Sequence, residues 1–373
     1  MRIALVHDHL NQIGGAEGVL HVLHKMWPSA PLFVLIHDRE KMQGWFNTAH
    51  VRTSFLSRLP FSRRFFPWYL PLMPAATEHH NVSGFDVVLS SSSAFAKGVV
   101  TKPQTLHICY CHTPTRYLWS DSREYVAELR VPFFVKWCLP PLLSLLRLWD
   151  FAAASRVDHF VANSHTVAAR IKKYYGRDSV VIHPPVDVSR FSLGAPAGRF
   201  FLTGGRLVAY KRFDLVVDAC TRTGFPLKVF GTGPVEEDLR RRAGPNVEFL
   251  GRVSDEEQAK LYQEARAFIH PQEEDFGITP VESMASGRPV IAYRKGGAME
   301  TIKEGVTGTF FDEQTWERLA STMIEFDETR FDPSVIRTHA LQYSKEAFEA
   351  AFRAYVEETA RVHEETSSYA HRG

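Results

Sequence analysis

Short apolar runs alternate with helical patterns in two successive series, and no other feature of the sequence limits the fold as strongly. In the first series, runs such as Leu32 to His37 and His107 to Cys111 are separated by segments with the period of an amphipathic helix. The pattern restarts at Phe200 to Thr203 and continues through Leu227 to Phe230 and Val290 to Tyr293. Repeated strand–helix–strand units predict parallel sheets with helices on both faces. The sequence therefore predicts an α/β protein with two Rossmann-like domains.

The segment PPVDVSRFSLGAPAGR, residues 184–199, separates the two series. It is rich in Pro, Gly and Ser and has no periodic apolar face, which is typical of an interdomain linker. We predict a first domain at residues 1–187 and a second at residues 188–349, with a ligand cleft where the carboxyl ends of the two sheets face each other. The last helical pattern, Ser344 to Glu365, is expected to carry residues 350–373 back to the first domain.

Charge and hydropathy restrict the partners of the chain. The net charge of +2 over 373 residues argues against a nucleic-acid partner, which requires a strongly basic surface. The most apolar stretch, Val131 to Trp149, contains prolines and basic residues, and its longest uncharged run is well short of the roughly 20 residues needed to span a bilayer. The N-terminal residues lack the pattern of a signal peptide. We expect a cytoplasmic protein that is soluble or lies on the inner face of the cell membrane.

Two glutamates eight positions apart carry the strongest chemical signal. Glu274 follows the predicted strand Ala267 to His270, and Glu282 is predicted in the first turn of the next helix. Carboxylates accept hydrogen bonds from vicinal hydroxyls, and the helix start between them offers backbone N–H groups to sugar or phosphate oxygens. Gly277 lets the backbone approach a ligand closely. The alternative is that Glu282 is only a favourable charge near a helix N-terminus.

Basic residues follow another predicted strand in the second half. Arg206 comes directly after Gly204-Gly205, and Lys211 precedes a predicted helix. Two cations beside a helix start suit a diphosphate leaving group, although a solvated basic turn would have the same sequence.

In the first half, Gly14 and Gly15 follow the first strand and open a helix. They do not form G-x-G-x-x-G, so the dinucleotide-binding fingerprint is absent.

Two further groups of residues lie in the first half. Tyr110 to Trp119 places several polar side chains at the end of a predicted strand, although a lone histidine such as His112 is more often structural. Basic and aromatic residues are mixed in Arg58 to Leu70 and in Phe133 to Leu148. This mixture suits an anionic membrane surface, and the alternative is a core loop with a few surface arginines.

These motifs resemble those of the family 4 glycosyltransferases, which are retaining enzymes of the GT-B fold. The resemblance covers nearly the full chain and includes E-x-F-G-I-x-x-x-E from Glu274 to Glu282, the adjoining A-S-G-x-P-V, and G-R-L-x-x-x-K-x-x-D around Arg206 and Lys211. The run H-T-P-x-R-Y-L-W from His112 resembles a loop of bacterial O-antigen and exopolysaccharide mannosyltransferases. The resemblance implies two domains facing each other across a cleft.

The resemblance also implies which residues act. Those closest to the reaction would be Glu274, Arg206, Lys211 and His112. Others would bind the donor through its phosphate, sugar hydroxyls, ribose or base: Gly14, Gly15, Val253, Phe276, Gly277, Ile278, Thr279 and Glu282. Arg116 and Tyr117 would bind the acceptor.

The implied reaction is the transfer of mannose from GDP-mannose to a polyprenyl-diphosphate-linked oligosaccharide, at an anionic membrane surface met by the first domain. No cofactor or metal is expected, because the sequence has no Asp-x-Asp and two cationic side chains can stabilise the diphosphate. Two alternatives stay open. The same fold could use a UDP-sugar donor or a soluble acceptor, or the chain could be a catalytically idle module that binds nucleotide sugars or membrane surfaces.

Overall fold

A computed structural model describes residues 1–42, 44–46, 50–62, 66–123, 126, 133–194 and 198–370. The chain divides into two compact units. The first consists of Met1–His183 together with Glu349–Gly373, and the second is Pro184–Phe348. The last helix therefore begins in the second unit and continues in the first.

The first unit contains a seven-stranded sheet in which every strand pairs in parallel with its neighbours, in the order β3–β2–β1–β4–β5–β6–β7. The strands are β1 (Ile3–Leu10), β2 (Leu32–His37), β3 (Val51–Thr53), β4 (Val87–Ser92), β5 (Leu106–Cys111), β6 (His159–Ala162) and β7 (Ser179–Val181). The helices include α1 (Gly15–Met26), α2 (Met73–Glu78), α3 (Phe133–Ser155) and α4 (His165–Tyr175). The strand order reverses between β1 and β4, and open α/β sheets bind ligands at such a point.

Burial on both faces explains why the central strands of this sheet are rich in apolar residues. Every residue of β2, β4 and β5 is buried. The final helix supplies part of the cover, since the ring of Phe352 lies 6.1 Å from that of Trp27 and 5.9 Å from that of Tyr110. In the described part of the chain, no helix is both long and apolar enough to cross a membrane.

The second unit contains a six-stranded parallel sheet in the order β10–β9–β8–β11–β12–β13. The strands are β8 (Phe201–Gly204), β9 (Leu227–Phe230), β10 (Val247–Gly251), β11 (Ala267–His270), β12 (Val290–Tyr293) and β13 (Gly308–Phe311). The helices of this unit include α5 (Phe213–Thr223), α6 (Glu236–Arg242), α7 (Asp255–Glu264), α8 (Ile278–Ala285), α9 (Ala298–Thr301), α10 (Trp316–Glu325) and α11 (Pro333–Leu341). The last helix, α12 (Lys345–Ala370), has its first turn here and the rest in the first unit. The two parallel sheets confirm the predicted α/β class.

Part of the segment interpreted as a linker is packed into the second unit. Val186, Val188 and Phe191 are buried in a core cluster of that unit, and Val186 forms a β-bridge with Ser344. Their side chains follow neither the helical nor the strand period, so the pattern did not reveal their burial. Residues 195–197 of this segment lie outside the described residues.

Candidate active site

The functional residues predicted in the second unit follow the carboxyl ends of two neighbouring strands. β8 ends at Gly204 and is followed by Arg206, and β11 ends at His270 and is followed by the loop that carries Glu274. The two strands pair in parallel, so their following loops leave the same edge of the sheet. This is the edge at which open α/β sheets bind ligands.

Lys211 and Glu274 form an ion pair at this edge. Lys211 Nζ lies 2.8 Å from Glu274 Oε1, and the side chains are 14% and 20% exposed. Lys211 ends a short 3₁₀ turn, and Arg212 then adopts φ 53°, a left-handed conformation that precedes the start of α5 at Phe213. The loop geometry therefore holds a cation and a carboxylate together, and a bound ligand could take the place of either partner in the ion pair.

The loop that carries Arg206 is supported by a turn after β9. The Leu207 N–H donates to the Thr232 carbonyl at 3.0 Å. Gly231 has φ 99°, and a Cβ there would lie 1.8 Å from the Gly205 carbonyl oxygen. The turn therefore requires glycine, and it fixes the backbone from which the exposed Arg206 side chain extends.

Helix α8 begins earlier than the sequence predicts. Gly277 adopts φ 88° as the N-cap, and the helix starts at Ile278. Glu282 therefore lies in the second turn, and the predicted position in the first turn is wrong. The early start is possible because Pro280 occupies the first turn, where a missing N–H costs no hydrogen bond. The amides of Ile278 and Thr279 have no acceptor within the helix, so they remain suitable for ligand oxygens.

Glu282 is held by side chains from α7. Its Oε2 accepts hydrogen bonds from Tyr262 OH at 3.1 Å and from Gln258 Nε2 at 3.3 Å. Burial raises the pKa of Glu282 to about 7, although Arg190 and Tyr262 act in the opposite direction. Sequence reasoning missed both α7 partners. Their i, i+4 spacing on one helix face was the signal that could have found them.

Several buried polar atoms beside this site have no hydrogen-bond partner among the described residues. They are Nδ1 and Nε2 of His270, Oε1 of Gln272 and Oγ1 of Thr279. Unpaired buried polar groups destabilise a fold, and they are expected where a ligand completes the hydrogen bonding. Burial lowers the pKa of His270 to about 4, so this imidazole is neutral at physiological pH. The sequence analysis did not single out His270 or Gln272.

Val253 lies on another loop at the same end of the sheet. It follows β10, is partly buried, and packs against the same core cluster as Phe276. Its packing fixes the backbone at that position, which suits the predicted main-chain contact with a base.

In the first unit, polar side chains meet where the strand order reverses. Asp8 is buried in β1, and its carboxylate accepts hydrogen bonds from the four successive N–H groups of residues 93–96, at 2.6 to 2.9 Å. These bonds fix the loop after β4. The carbonyl of His112, directly after β5, accepts from Asn163 Nδ2 at 2.9 Å, and His112 Nε2 lies 2.8 Å from Ser91 Oγ. Burial lowers the pKa of His112 to about 4, so the ring is neutral.

A cavity of about 420 Å³ opens beside these strand ends within the first unit. Its lining includes both predicted acceptor residues, Arg116 and Tyr117, together with Glu17 and the apolar Phe66 and Leu70. Arg116 Nη1 lies 3.9 Å from Asp121 Oδ2. The cavity thus combines a cation with apolar walls.

Gly14 and Gly15 lie at the start of α1, where both are exposed. A Cβ on Gly14 would lie 3.0 Å from Glu17 Oε2. The glycine therefore leaves room for the Glu17 carboxylate. The described residues contain no group of three or more His, Cys, Asp or Glu side chains that could hold a metal ion.

Apolar side chains are exposed on α3 and near α2. On α3 they include Trp137, Leu145, Leu148 and Phe151, and Leu148 is 69% exposed. Trp68, in the other predicted membrane group, is also exposed. Residues 63–65 of the group Arg58 to Leu70 lie outside the described residues.

Two family models together match most of the chain. Residues 13–190 match the model described as Glycosyltransferase Family 4, and residues 186–342 match the one described as Glycosyl transferases group 1.

Curated relatives are similar over part of their length. D-rhamnosyltransferase WbpZ of Pseudomonas aeruginosa is 36% identical over 118 residues, which are 30% of this chain and 31% of that protein. O-antigen chain mannosyltransferase C of Escherichia coli is 31% identical over 45% of this chain and 48% of that protein. GDP-mannose-dependent alpha-mannosyltransferase of Corynebacterium glutamicum is 33% identical over 37% of this chain and 34% of that protein. The alignments therefore span between about a third and a half of these relatives.

A solved structure is similar over almost the whole chain. The structure of Anabaena Alr3699/HepE in complex with UDP superimposes with a TM-score of 0.71 at 17% identity, covering 96% of this chain and 100% of that one. This likeness confirms the predicted GT-B fold.

Proposed function

Because the chain belongs to family 4 of the glycosyltransferases, we propose that it is a retaining enzyme that transfers mannose from GDP-mannose to a polyprenyl-diphosphate-linked oligosaccharide. The observation that carries the transferase proposal is the Lys211–Glu274 pair at neighbouring strand ends, 2.8 Å apart and beside unpaired buried polar atoms. A nucleotide sugar offers both an anion for Lys211 and hydroxyls for Glu274.

The second unit would bind the donor. Lys211 and Arg206 would contact the diphosphate, Glu274 and the amides at the start of α8 would contact the sugar, and Glu282 would accept hydrogen bonds from the ribose. When the bond between the sugar carbon and the phosphate oxygen breaks, negative charge grows on the diphosphate. The two cations would stabilise that charge without a metal ion.

The acceptor would react on the face from which the diphosphate leaves. Its hydroxyl oxygen forms the new bond to the sugar carbon, and its proton passes to the departing phosphate oxygen, so that configuration is retained. The cavity with Arg116 and Tyr117 would hold the acceptor, because a cation beside apolar walls suits a lipid diphosphate. His112 would contact the transferred sugar.

The choice of donor rests on the names of relatives. Two of them are mannosyltransferases, and one is described as GDP-mannose-dependent. A UDP-sugar is the alternative, since HepE is similar in fold and binds UDP.

A thermal-shift panel of GDP, UDP, ADP and their sugar conjugates, each measured without and with EDTA, tests the donor proposal. A ligand that binds only the folded protein raises the melting temperature by mass action. A rise in melting temperature with GDP and GDP-mannose alone supports the proposal. A rise with UDP compounds alone would mean that the donor is a UDP-sugar and not GDP-mannose. No rise with any nucleotide contradicts the donor site and favours an idle module. A rise that disappears with EDTA contradicts metal independence.

The first unit would also contact an anionic membrane surface. Support comes from the exposed apolar side chains of α3, where Trp137 is 85% exposed, and from Lys136 on the same helix. Flotation with anionic liposomes at low salt tests this contact. Leu148→Glu is expected to reduce flotation, and Ile324→Glu is the matched control, because Ile324 is 66% exposed but lies in the second unit. Equal flotation of the wild type and both variants would contradict a role for α3.

A further inference from the structure

Four buried polar side chains of the first unit form a row, here called the Glu17–His112 row. Glu17, His7, Ser91 and His112 are 5%, 3%, 0% and 9% exposed, respectively. His7 Nε2 lies 3.9 Å from Glu17 Oε1. His7 Nδ1 lies 3.1 Å from Ser91 Oγ, which lies 2.8 Å from His112 Nε2. The row therefore connects the first turn of α1 with the histidine after β5.

The fold fixes the neighbours in this row. His7 and Ser91 are direct partners across the parallel pairing of β1 and β4. Glu17 follows the Gly14–Gly15 turn, where the missing side chain of Gly14 leaves space for the carboxylate. The row therefore depends on strand register and on a glycine.

The proton on His7 follows from the atoms around its ring. Nδ1 lies 2.9 Å from the Ser91 carbonyl oxygen, which can only accept, so Nδ1 carries a proton. Nε2 faces the Glu17 carboxylate, which favours a proton on that nitrogen too. Burial lowers the pKa of His7, but Glu17 and Asp8 outweigh it and the net change is upward. Burial raises the pKa of Glu17, but His7 outweighs it and the net change is downward.

The proton of Ser91 then has one favourable direction. The carbonyl and hydroxyl oxygens of Ser91 share the Nδ1–H of His7, at 2.9 and 3.1 Å from that nitrogen, so the Ser91 hydroxyl proton can be donated to Nε2 of His112. If Nε2 of His112 carried the proton instead, it could not accept from the Ser91 hydroxyl. The hydroxyl proton of the fully buried Ser91 would then lose this acceptor, which is costly in a protein interior. His112 is neutral, so its single ring proton must then reside on Nδ1.

We propose that Glu17, His7 and Ser91 are positioning residues that hold His112 in the tautomer protonated on Nδ1, so that this nitrogen donates a hydrogen bond to the transferred sugar. The contact with the sugar rests on the proposed function, whereas the tautomer rests on the row alone. In this tautomer Nδ1 has no free lone pair. His112 is therefore a hydrogen-bond donor at that atom and cannot accept the acceptor's proton there.

The tautomer can be measured from the ¹⁵N chemical shifts of the imidazole rings in the ligand-free protein. The signals of His112 are assigned by their loss in His112→Gln. We expect a protonated, pyrrole-type Nδ1 and an unprotonated, pyridine-type Nε2 in the wild type, and a mixture of tautomers in Ser91→Ala. A wild-type His112 protonated on Nε2, or an unchanged tautomer in Ser91→Ala, would overturn the proposal.

Ser90→Ala is the matched control. Ser90 is the adjacent residue of β4, is 1% exposed, and places its Oγ 2.8 Å from Nε2 of another buried histidine, His107. Both variants remove a buried hydrogen bond between a serine of β4 and a histidine that lies in β5 or directly after it. Ser90→Ala should change the ring signals of His107 and leave those of His112 as in the wild type.

Ligand binding separates positioning from a general loss of structure. Ser91→Ala is expected to weaken binding of the nucleotide sugar found in the thermal-shift panel by about tenfold, the effect of about one hydrogen bond, with binding of the matching nucleoside diphosphate unchanged. Equal weakening of both ligands would contradict the contact between His112 and the sugar. If no nucleotide binds, the proposed function fails, while the ring shifts still decide the tautomer.

Discussion

Replacing Glu282 by glutamine is expected to stabilise the fold at neutral and higher pH while weakening nucleotide binding. The Glu282 carboxylate accepts hydrogen bonds from Tyr262 and Gln258, and burial raises its pKa from 4.5 to about 7. The folded state therefore favours the protonated form. Below about pH 4.5 both the folded and the unfolded state hold the proton, so no stability is lost there.

The magnitude follows from the difference between the two pKa values. As the pH rises from about 4.5 to about 7, the unfolded chain ionises while the folded protein keeps the proton, so the free energy of unfolding falls, and the loss is complete above about pH 7. One pKa unit corresponds to about 1.4 kcal/mol, and Glu282 keeps partial exposure, so we expect a loss of about 1–3 kcal/mol. Glutamine avoids this loss because its amide stays neutral and its oxygen can still accept from Tyr262.

The assay compares melting temperatures of the wild type, Glu282→Gln and Glu256→Gln at about pH 5 and about pH 8. Glu256 is an exposed glutamate of α7 and serves as the matched control. The difference in melting temperature between Glu282→Gln and the wild type is expected to be about 3–9 °C larger at about pH 8 than at about pH 5. For Glu256→Gln this difference should not change with pH. Parallel losses of stability in all three proteins would refute the buried-carboxylate argument. Glu282→Gln should also weaken nucleotide binding about ten- to a hundredfold if the carboxylate accepts from the ribose as proposed, since that charged hydrogen bond would be lost.

Three further substitutions test other parts of the structure. Lys211→Ala should lower transferase turnover by at least about a hundredfold, because it removes a cation from the leaving diphosphate, as steady-state kinetics would detect. Gly231→Ala should lower the melting temperature and abolish nucleotide binding in the thermal-shift assay, because its Cβ would meet the Gly205 carbonyl oxygen at 1.8 Å. Lys97→Met should destabilise the first unit by about 3–5 kcal/mol in urea unfolding, because it removes the cation that neutralises the buried Asp150 carboxylate, whereas Lys102→Met at an exposed site should not.

The sequence predicted the strands best where both faces of the strand are buried. Leu32–His37, Leu227–Phe230 and Ala267–His270 have the predicted bounds, because turn residues end each continuous apolar run. β3, Val51–Thr53, was not predicted, because this short edge strand is mostly exposed and has no apolar run. Strand prediction here depended on apolar runs, so it failed where a strand has none, as in β3, and ended early where buried serines continue a strand, as in β4.

The candidate site was predictable as separate residues and not as a network. Glu282 and His112 were identified from local motifs, whereas the hydroxyl donors Tyr262 and Ser91 were not. These partners lie 20 and 21 positions away in the sequence, and only helix packing and strand register bring them into contact. A sequence motif identifies the residues of one loop, but the protonation states of those residues depend on neighbours from other helices and strands.

The pairing of Lys211 with Glu274 explains why the second unit should prefer a ligand with both an anion and hydroxyls. A ligand that offers only phosphate would draw Lys211 away from Glu274 and break the ion pair of a partly buried carboxylate. A ligand that offers only hydroxyls would leave the lysine without its carboxylate. A nucleotide sugar replaces both sides of the ion pair at once, so it avoids the cost of leaving either charge uncompensated. The ion pair is thus expected to favour binding of a complete nucleotide sugar over binding of a phosphate or a sugar alone, independently of any contact with the base.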